Sequence, residues 1–171
     1  LEDTHAPIIA IATVQKELDP LAVGDEIQVA PYLEALCASL ARSMIGGRKP
    51  ISIVVHAGGG TVTSEVAISF GLLTTELVIN AIKHAFPGER TGVILVEYEV
   101  IGDTWTLSIA DDGIGKTENS AHGRDGLGTS IIAALANQLG AKVHIDSSST
   151  GTKVSFMHTK DAVPTASIAS F

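Results

Sequence analysis

The chain of 171 residues suits one domain, and its 45% hydrophobic and 18% charged residues allow it to bury a core. Its formal net charge of −8 argues against broad binding to nucleic-acid phosphates, and its single cysteine excludes an internal disulfide framework and a cysteine-cluster metal site. No apolar run reaches the roughly 18 residues that a membrane span needs, so we expect no membrane contact by this segment. The expected compartment is the cytoplasm, for a cytoplasmic protein or for the cytosolic part of a membrane-bound receptor.

The first half of the chain is predicted to form three helices and one strand. Apolar residues recur at helical spacing over residues 5–17 and again over residues 30–45. The apolar run at 51–57 is typical of a strand. Residues 64–86 follow as a long helix, with Ser64 as its N-cap and a Pro-Gly pair after its end.

The second half is predicted to be rich in strands. Residues 92–100 and 104–112 alternate like antiparallel neighbours joined by a short turn. A helix over residues 129–140 precedes a hairpin formed by 141–147 and 151–158. Because strands and helices are grouped instead of strictly alternating, the expected class is α+β, a two-layer sandwich of helices on a mixed sheet.

The long helix carries a chemically distinctive set of polar groups away from its apolar stripe. Rotation of about 100° per residue puts Glu76 and Asn80 one turn apart, with Lys83 and His84 near them. The apolar residues expected to cover the sheet gather on another face: Ile68, Ile79, Ile82 and Phe86. A carboxylate and an amide oxygen one turn apart suit a magnesium–phosphate site, and the lysine adds a cation. A solvated helix face is the alternative for the same pattern.

Two glycine-rich patches flank a polar segment that resembles a lid. Asp111 ends a predicted strand, and Gly113 and Gly115 allow close approach of the backbone to a ligand. Gly126 and Gly128 lie just before a predicted helix, where free N–H groups favour anions. Either patch alone predicts no more than a turn. Their order and spacing together indicate a nucleotide site.

Four segments in order resemble the nucleotide-binding boxes of one ATPase superfamily: ELVINAIKHAF (76–86), DDGIG (111–115), GLGTS (126–130) and GTKV (151–154). That GHKL superfamily contains DNA gyrase, a heat-shock chaperone, histidine kinases and a mismatch-repair protein. The resemblance covers about residues 51–157. It implies the Bergerat-type fold, a helix–sheet sandwich that binds ATP between a helix and a lid, here with an additional N-terminal helix.

The resemblance also implies a role for each matched residue. Asn80 would hold Mg²⁺, and Asp111 would bond the adenine amino group. Glu76 would polarise the attacking group or support the metal, Lys83 would neutralise phosphate, and His84 would lie beside adenine or ribose. The remaining matched residues would surround the nucleotide: Gly113, Ile114 and Gly115 beside it, Gly126, Leu127, Gly128 and Thr129 around the triphosphate, and Thr152 supporting Asp111 through its hydroxyl or a water.

Within the superfamily, the segment GLGTSIIAALANQLGAKV and the short predicted lid resemble bacterial sensor histidine kinases, specifically the class related to the HWE kinases. Trp105 is similar to the tryptophan of the HWE signature, but no glutamate follows two residues later, which favours the sister class.

The resemblance implies a division into three parts. Residues 1–28 would be the end of a dimerisation hairpin with its linker, residues 29–159 the catalytic domain, and residues 160–171 a flexible tail. In that class, the γ-phosphoryl of Mg-ATP passes to a histidine of the dimerisation domain and then to a response-regulator receiver domain, and the full-length protein is a homodimer. None of the six histidines has the neighbours typical of an acceptor, and His5 matches the second hairpin helix. We therefore expect the acceptor to lie outside this sequence.

Two other functions are compatible with the same residues. An anti-sigma-factor serine kinase has similar length and the same boxes, but does not need a dimerisation-hairpin helix. A nucleotide-sensing module would bind ATP without transferring phosphate, and the presence of Glu76, Asn80 and Lys83 argues against it.

Overall fold

A five-stranded mixed sheet forms one layer of the fold, and three helices pack on one of its faces. The computed structural model describes residues 22–23, 26–47, 49–115 and 127–159, and the structural statements below concern those residues. The helix expected over 5–17, the polar segment 116–125 and the C-terminal tail lie outside them.

The elements in chain order are β1 (Ala22–Val23), β2 (Glu26–Gln28), α1 (Val29–Leu40), β3 (Ile51–Ala57), β4 (Thr61–Thr63), α2 (Ser64–His84), β5 (Gly92–Ile101), β6 (Thr104–Asp111), α3 (Leu127–Gln138), β7 (Lys142–Ser148) and β8 (Gly151–Thr159). A π-helical turn, Ala41–Ile45, extends α1. Gly46 ends this turn with a left-handed backbone, φ 52°, which glycine adopts without steric cost.

The main sheet confirms the predicted α+β class. Its strand order is β3-β5-β6-β8-β7, in which β3 and β5 are parallel and every other pair is antiparallel. The β5–β6 and β7–β8 hairpins match the predicted strand pairs. One face of the sheet is covered by the helices, with Ile94, Leu107 and Phe156 fully buried there.

A small three-stranded sheet, in the order β1-β2-β4, was not predicted. Its strands have two or three residues, too few for an alternating pattern to stand out in the sequence. The Val29 N–H donates to the Gly60 carbonyl at 3.1 Å, so this sheet joins the starts of α1 and α2.

The predicted N-cap of α2 is wrong by one residue. Thr63 is the cap, because its hydroxyl oxygen accepts from the Val66 N–H at 3.4 Å and its backbone is extended, whereas Ser64 is the first helical residue. Both residues have side chains that can cap a helix. The end of β4 at Thr63 supplies the extended backbone that a cap requires.

The helix α2 is the central helix of the core. Ile79, Ile82 and Phe86 are buried as predicted, but Ile68 is 40% exposed. Because α2 contacts α1 and α3 as well as the sheet, its buried face is centred opposite Glu76. Ile68 lies at the margin of this face and is therefore partly exposed. By length and composition α2 is apolar enough to cross a membrane, but 61% of its most apolar stretch is buried within the fold, as in a core helix.

Candidate nucleotide-binding site

Asp111 lies at the end of β6 as an ordered, half-buried hydrogen-bond acceptor. The Gly113 N–H donates to its Oδ1 at 3.0 Å. Burial raises the pKa of the Asp111 carboxyl above its ordinary value, while backbone hydrogen bonds from Gly113 and Thr152 lower it and Asp112 raises it slightly. The carboxylate is therefore oriented before any ligand binds.

The loop after Asp111 is fixed to the C-terminal end of α2. The Ile114 N–H donates to the Ala85 carbonyl at 3.0 Å. A Cβ on Gly113 would overlap this same carbonyl, so only glycine fits there. This contact joins the helix that carries Asn80 to the strand that carries Asp111.

Two more glycines let the backbone segments of the site approach one another. A Cβ on Gly115, whose φ is 66°, would overlap the Ser148 carbonyl, and a Cβ on Gly151, at φ 138°, would overlap the Asp111 carbonyl. In the structure these glycines bring protein backbone against protein backbone. The DDGIG segment is consequently clamped between α2 and the β7–β8 hairpin.

Asp112 is a structural residue that the sequence interpretation missed. Its Oδ1 accepts from the Val93 N–H at 2.8 Å, and its own N–H donates to the Val93 carbonyl at 3.3 Å. The Arg90 Nη2 donates to the Asp112 carbonyl at 3.4 Å. The sequence alone predicts only a turn at Asp-Asp-Gly. The role of Asp112 depends on its partner Val93 at the start of β5, which the local sequence does not identify.

Three polar side chains line up across neighbouring strands beside this loop. Asp111 pairs with Thr152, which pairs with Ser147, and the row continues to the buried Ile94 of β5. Directly paired residues share a face of the sheet, so the row lies on the helix-covered face. The Thr152 Oγ1 and the Ser147 Oγ are 2.9 Å apart. Ser147 was not among the predicted site residues.

The four predicted polar residues of α2 divide into two pairs. Glu76 and Asn80 are partly buried and one turn apart on a continuous helix, whereas Lys83 and His84 are exposed in its last turn. Basic groups in the last turn also complement the helix dipole, which is a sufficient structural role for them.

The donor set fits magnesium only when the metal is shared with phosphate. Within the described ranges, no group of three or more His, Cys, Asp and Glu residues could hold a metal ion. Mg²⁺ is commonly held by one or two protein oxygens together with substrate phosphates and water. Asn80, with Glu76 one turn away, provides oxygens of this kind.

The second glycine patch adjoins the start of α3. This helix begins at Leu127, so Leu127, Gly128 and Thr129 form its first turn, whereas we expected it to begin at Thr129. The first N–H groups of a helix have no partners within the helix, an arrangement that favours anions. Gly126 lies outside the described residues, as do the side chains of the next three.

Two concavities lie on different parts of the sheet. One of about 190 Å³, at the strand ends, is lined by residues that include Asp111 and Thr152. Another of about 590 Å³ includes Glu97 and Ser108, which point away from the helices. We assign the candidate site to the helix side, because Asp111 and Thr152 are paired on that face and the Ile114–Ala85 hydrogen bond joins the loop after Asp111 to α2. Neither Asp111 nor Thr152 lines the wider concavity.

Relatives of known sequence cover most of the chain. Residues 65–162 match the family of histidine kinase-, DNA gyrase B- and HSP90-like ATPases. Blue-light-activated histidine kinase 2 of Erythrobacter litoralis is 32% identical over 130 residues, which are 75% of this chain and 37% of that protein. The serine-protein kinase RsbW of Listeria innocua is 31% identical over 67 residues, 39% of this chain and 41% of that protein. The chain thus spans less than half the length of these curated relatives.

Two solved structures illustrate the likeness of fold. The histidine kinase domain of the Erythrobacter litoralis blue-light-activated histidine kinase superposes with a TM-score of 0.77 at 27% identity, covering 92% of this chain and 79% of that chain. The histidine kinase AdeS of Acinetobacter baumannii superposes with a TM-score of 0.60 at 12% identity, covering 90% of this chain and 77% of that chain. The second likeness concerns the fold alone.

Proposed function

Because this chain belongs to the family of histidine kinase-, DNA gyrase B- and HSP90-like ATPases, we propose that it is the ATP-binding catalytic domain of a two-component sensor histidine kinase. It would transfer the γ-phosphoryl of Mg-ATP to a histidine of a dimerisation domain. The phosphoryl group would then pass to the receiver domain of a response regulator. The relative that matches 75% of this chain is named a histidine kinase, which supports this function.

The observation that carries the proposal is the hydrogen bond from the Ile114 N–H to the Ala85 carbonyl at 3.0 Å. It ties the Asp111 strand end to the helix that bears Asn80 and Glu76. A nucleotide needs contacts for its base and for its phosphates at a fixed separation. A direct hydrogen bond between the two elements that carry these groups supports such a fixed separation.

At the base end of the site, Asp111 accepts a hydrogen bond from the exocyclic amine of adenine. An ionised carboxylate is acceptor-only, so this position favours an amine over a carbonyl oxygen. Gly113, Ile114 and Gly115 form the backbone beside the base, Thr152 lies next to Asp111, and His84 lies near the ribose or the base.

At the phosphate end, Asn80 presents its amide oxygen to Mg²⁺, and Lys83 offsets phosphate charge. When bound, the metal neutralises charge on the phosphates during phosphoryl transfer. Glu76 orients the attacking group or supports the metal. The triphosphate lies against Gly126 and the first turn of α3, which consists of Leu127, Gly128 and Thr129.

A serine kinase of the anti-sigma type is the second candidate. It is favoured by the likeness to RsbW, which covers 39% of this chain. The histidine kinase is preferred because its likeness extends over 75% of the chain at similar identity.

The arrangement of the whole protein is part of the proposal. Residues 1–28 would contribute to a dimerisation hairpin and linker, residues 29–159 form the catalytic domain, and residues 160–171 a tail. The full-length protein would be a homodimer with its catalytic domain in the cytoplasm, where ATP and a receiver domain are available.

Labelled ATP tests the proposal. The chain is incubated with γ-labelled Mg-ATP and a separately supplied histidine-bearing dimerisation domain, and also with a serine-bearing anti-sigma antagonist. We expect acid-labile label on the first substrate and none on the second. Acid-stable label on serine would replace the histidine kinase with the serine kinase, and calorimetry that detects no ATP binding would overturn both. Self-labelling abolished by His5→Ala would place the acceptor within this chain.

A further inference from the structure

The hydroxyls of Thr152 and Ser147 form a hydrogen bond whose direction has no role in the nucleotide site proposed above. Their oxygens are 2.9 Å apart, so one hydroxyl donates and the other accepts. Each hydroxyl has a single hydrogen and two lone pairs. The direction of this one hydrogen bond therefore decides what Thr152 can offer to a ligand.

The ligand-facing neighbour of Thr152 is Asp111. The two residues are directly paired on β8 and β6, so their Cβ atoms are about 4.5–5.5 Å apart on the same face. Adjacent polar atoms on one edge of a base can reach both side chains. In adenine, these atoms are the exocyclic amine, a donor, and ring nitrogen N1, an acceptor. A 6-oxopurine such as hypoxanthine has the opposite pattern, a carbonyl oxygen beside an N1–H.

We propose that Ser147 is a positioning residue that determines base specificity: its hydroxyl donates to Thr152 Oγ1 and thereby leaves the Thr152 hydrogen for N1 of adenine. This inference rests on the proposed ATP-binding function. The acceptor at Asp111 and the donor at Thr152 then match the donor and acceptor of adenine. The opposite direction would leave Thr152 only lone pairs, which suit the N1–H of a 6-oxopurine. One ordered water between Thr152 and N1 transmits the same polarity.

The position of Ser147 supports this role. It lies on β7, the edge strand of the sheet, and pairs with Thr152 but has no direct pairing with Asp111. It is thus one side chain further from the base than Thr152. A residue in this place acts on the ligand through its neighbour.

A double-mutant cycle tests the inference on the full chain by calorimetry. The proteins are wild type, Ser147→Ala, Thr152→Val and the double variant. The ligands are ATP, inosine triphosphate and 1-deaza-ATP, in which a C–H replaces N1. Ser147→Ala is expected to weaken ATP binding roughly 3- to 10-fold, as for the loss of one net hydrogen bond. Affinity for 1-deaza-ATP should change less than twofold, and the preference for ATP over inosine triphosphate should fall.

In the Thr152→Val background, Ser147→Ala should have no further effect, because Ser147 acts through the missing hydroxyl. Ser147→Thr, which keeps a hydroxyl, should restore the preference. Thr104→Val is the matched control: it removes one of two paired hydroxyls at the far end of the same sheet, where the Thr104 and Thr159 hydroxyl oxygens are 3.1 Å apart, and should leave all three affinities unchanged.

Three outcomes would overturn the inference. They are equal loss for ATP and 1-deaza-ATP, additive losses in the double variant, and unchanged ATP affinity in a folded Ser147→Ala protein. In each case wild-type ATP binding would stand and the proposed function would survive. A wild-type chain that binds no ATP would instead remove the proposed function, and this inference with it.

Discussion

Asp111 and Asn80, which we propose bind the base end and the phosphate end of ATP, are held in place by different kinds of structure. Asp111 is fixed by a network of backbone hydrogen bonds and glycine contacts that connects residues distant in the sequence, among them Ala85 and Thr152. Asn80 is placed by the helix itself, one turn after Glu76. The base end therefore depends on completed tertiary structure, whereas the spacing at the phosphate end is set within one helix.

Removal of the Asp111 charge is the strongest test of the base end. Asp111→Asn should weaken ATP binding by about 1.5–3 kcal/mol, roughly 10- to 150-fold, because a charge-assisted hydrogen bond is lost and the amide can present its NH₂ group. Calorimetry measures the affinity, and Asp103→Asn in the exposed β5–β6 turn is a control for loss of one negative charge. Unchanged affinity would remove Asp111 from the base site.

Overpacking tests whether the base end depends on backbone contacts. Gly113→Ala should destabilise the fold by about 1–3 kcal/mol, because its Cβ overlaps the Ala85 carbonyl and backbone cannot easily move aside. Gly59→Ala is the control, since a Cβ there meets nothing within 4 Å. Thermal unfolding of the two variants gives the comparison. Equal stability would show that the loop adjusts freely and that the contrast between the two ends is wrong.

The phosphate end is tested by a substitution that leaves the helix intact. Asn80→Ala should weaken Mg-ATP binding by about 0.5–1.5 kcal/mol and leave adenosine binding unchanged, because the lost amide oxygen is proposed to act on the metal and phosphates alone. Alanine preserves helix propensity. Equal weakening of ATP and adenosine would instead make Asn80 a structural residue that supports both ends.

A pH titration gives the smallest expected effect and separates binding from stability at Asp111. Burial raises its pKa in the folded protein, so its contribution to stability is present in acid and is lost as the pH rises through that pKa. Asp111→Asn should therefore be slightly more stable than wild type at neutral pH, and this advantage should vanish in acid. ATP binding should change in the opposite sense and weaken as Asp111 becomes protonated. If the melting temperatures of Asp111→Asn and wild type differ by the same amount at every pH, burial does not raise the Asp111 pKa as expected.

Much of the fold could be predicted because its main elements are long and periodic. The α2 helix and the β5–β6 and β7–β8 hairpins have patterns that extend over many residues, and the structure reproduces them. The β1-β2-β4 sheet was missed because its strands are too short for a pattern. The cap of α2 was misplaced because Thr63 and Ser64 are both suitable cap residues, and only the end of β4 distinguishes them.

The placement of the candidate residues could be predicted where local sequence determines it, while their roles stay predictions. The one-turn separation of Glu76 and Asn80 follows from helical spacing, and the position of Asp111 follows from its place between a strand and a glycine turn. Asp112 and Ser147 could not be found in this way. Their partners, the Val93 N–H and the Thr152 hydroxyl, depend on strand register, which arises from long-range pairing.

The hydrogen bond between the Ile114 amide and the Ala85 carbonyl also makes one proton a reporter of how the domain folds. Its donor and acceptor are 29 residues apart in sequence, so the bond forms only after β5 and β6 have returned the chain to the end of α2. Loop closure of this length favours late formation. The exchange rate of this amide proton with solvent therefore follows the opening of the site itself, separately from the opening of α2 or of either hairpin.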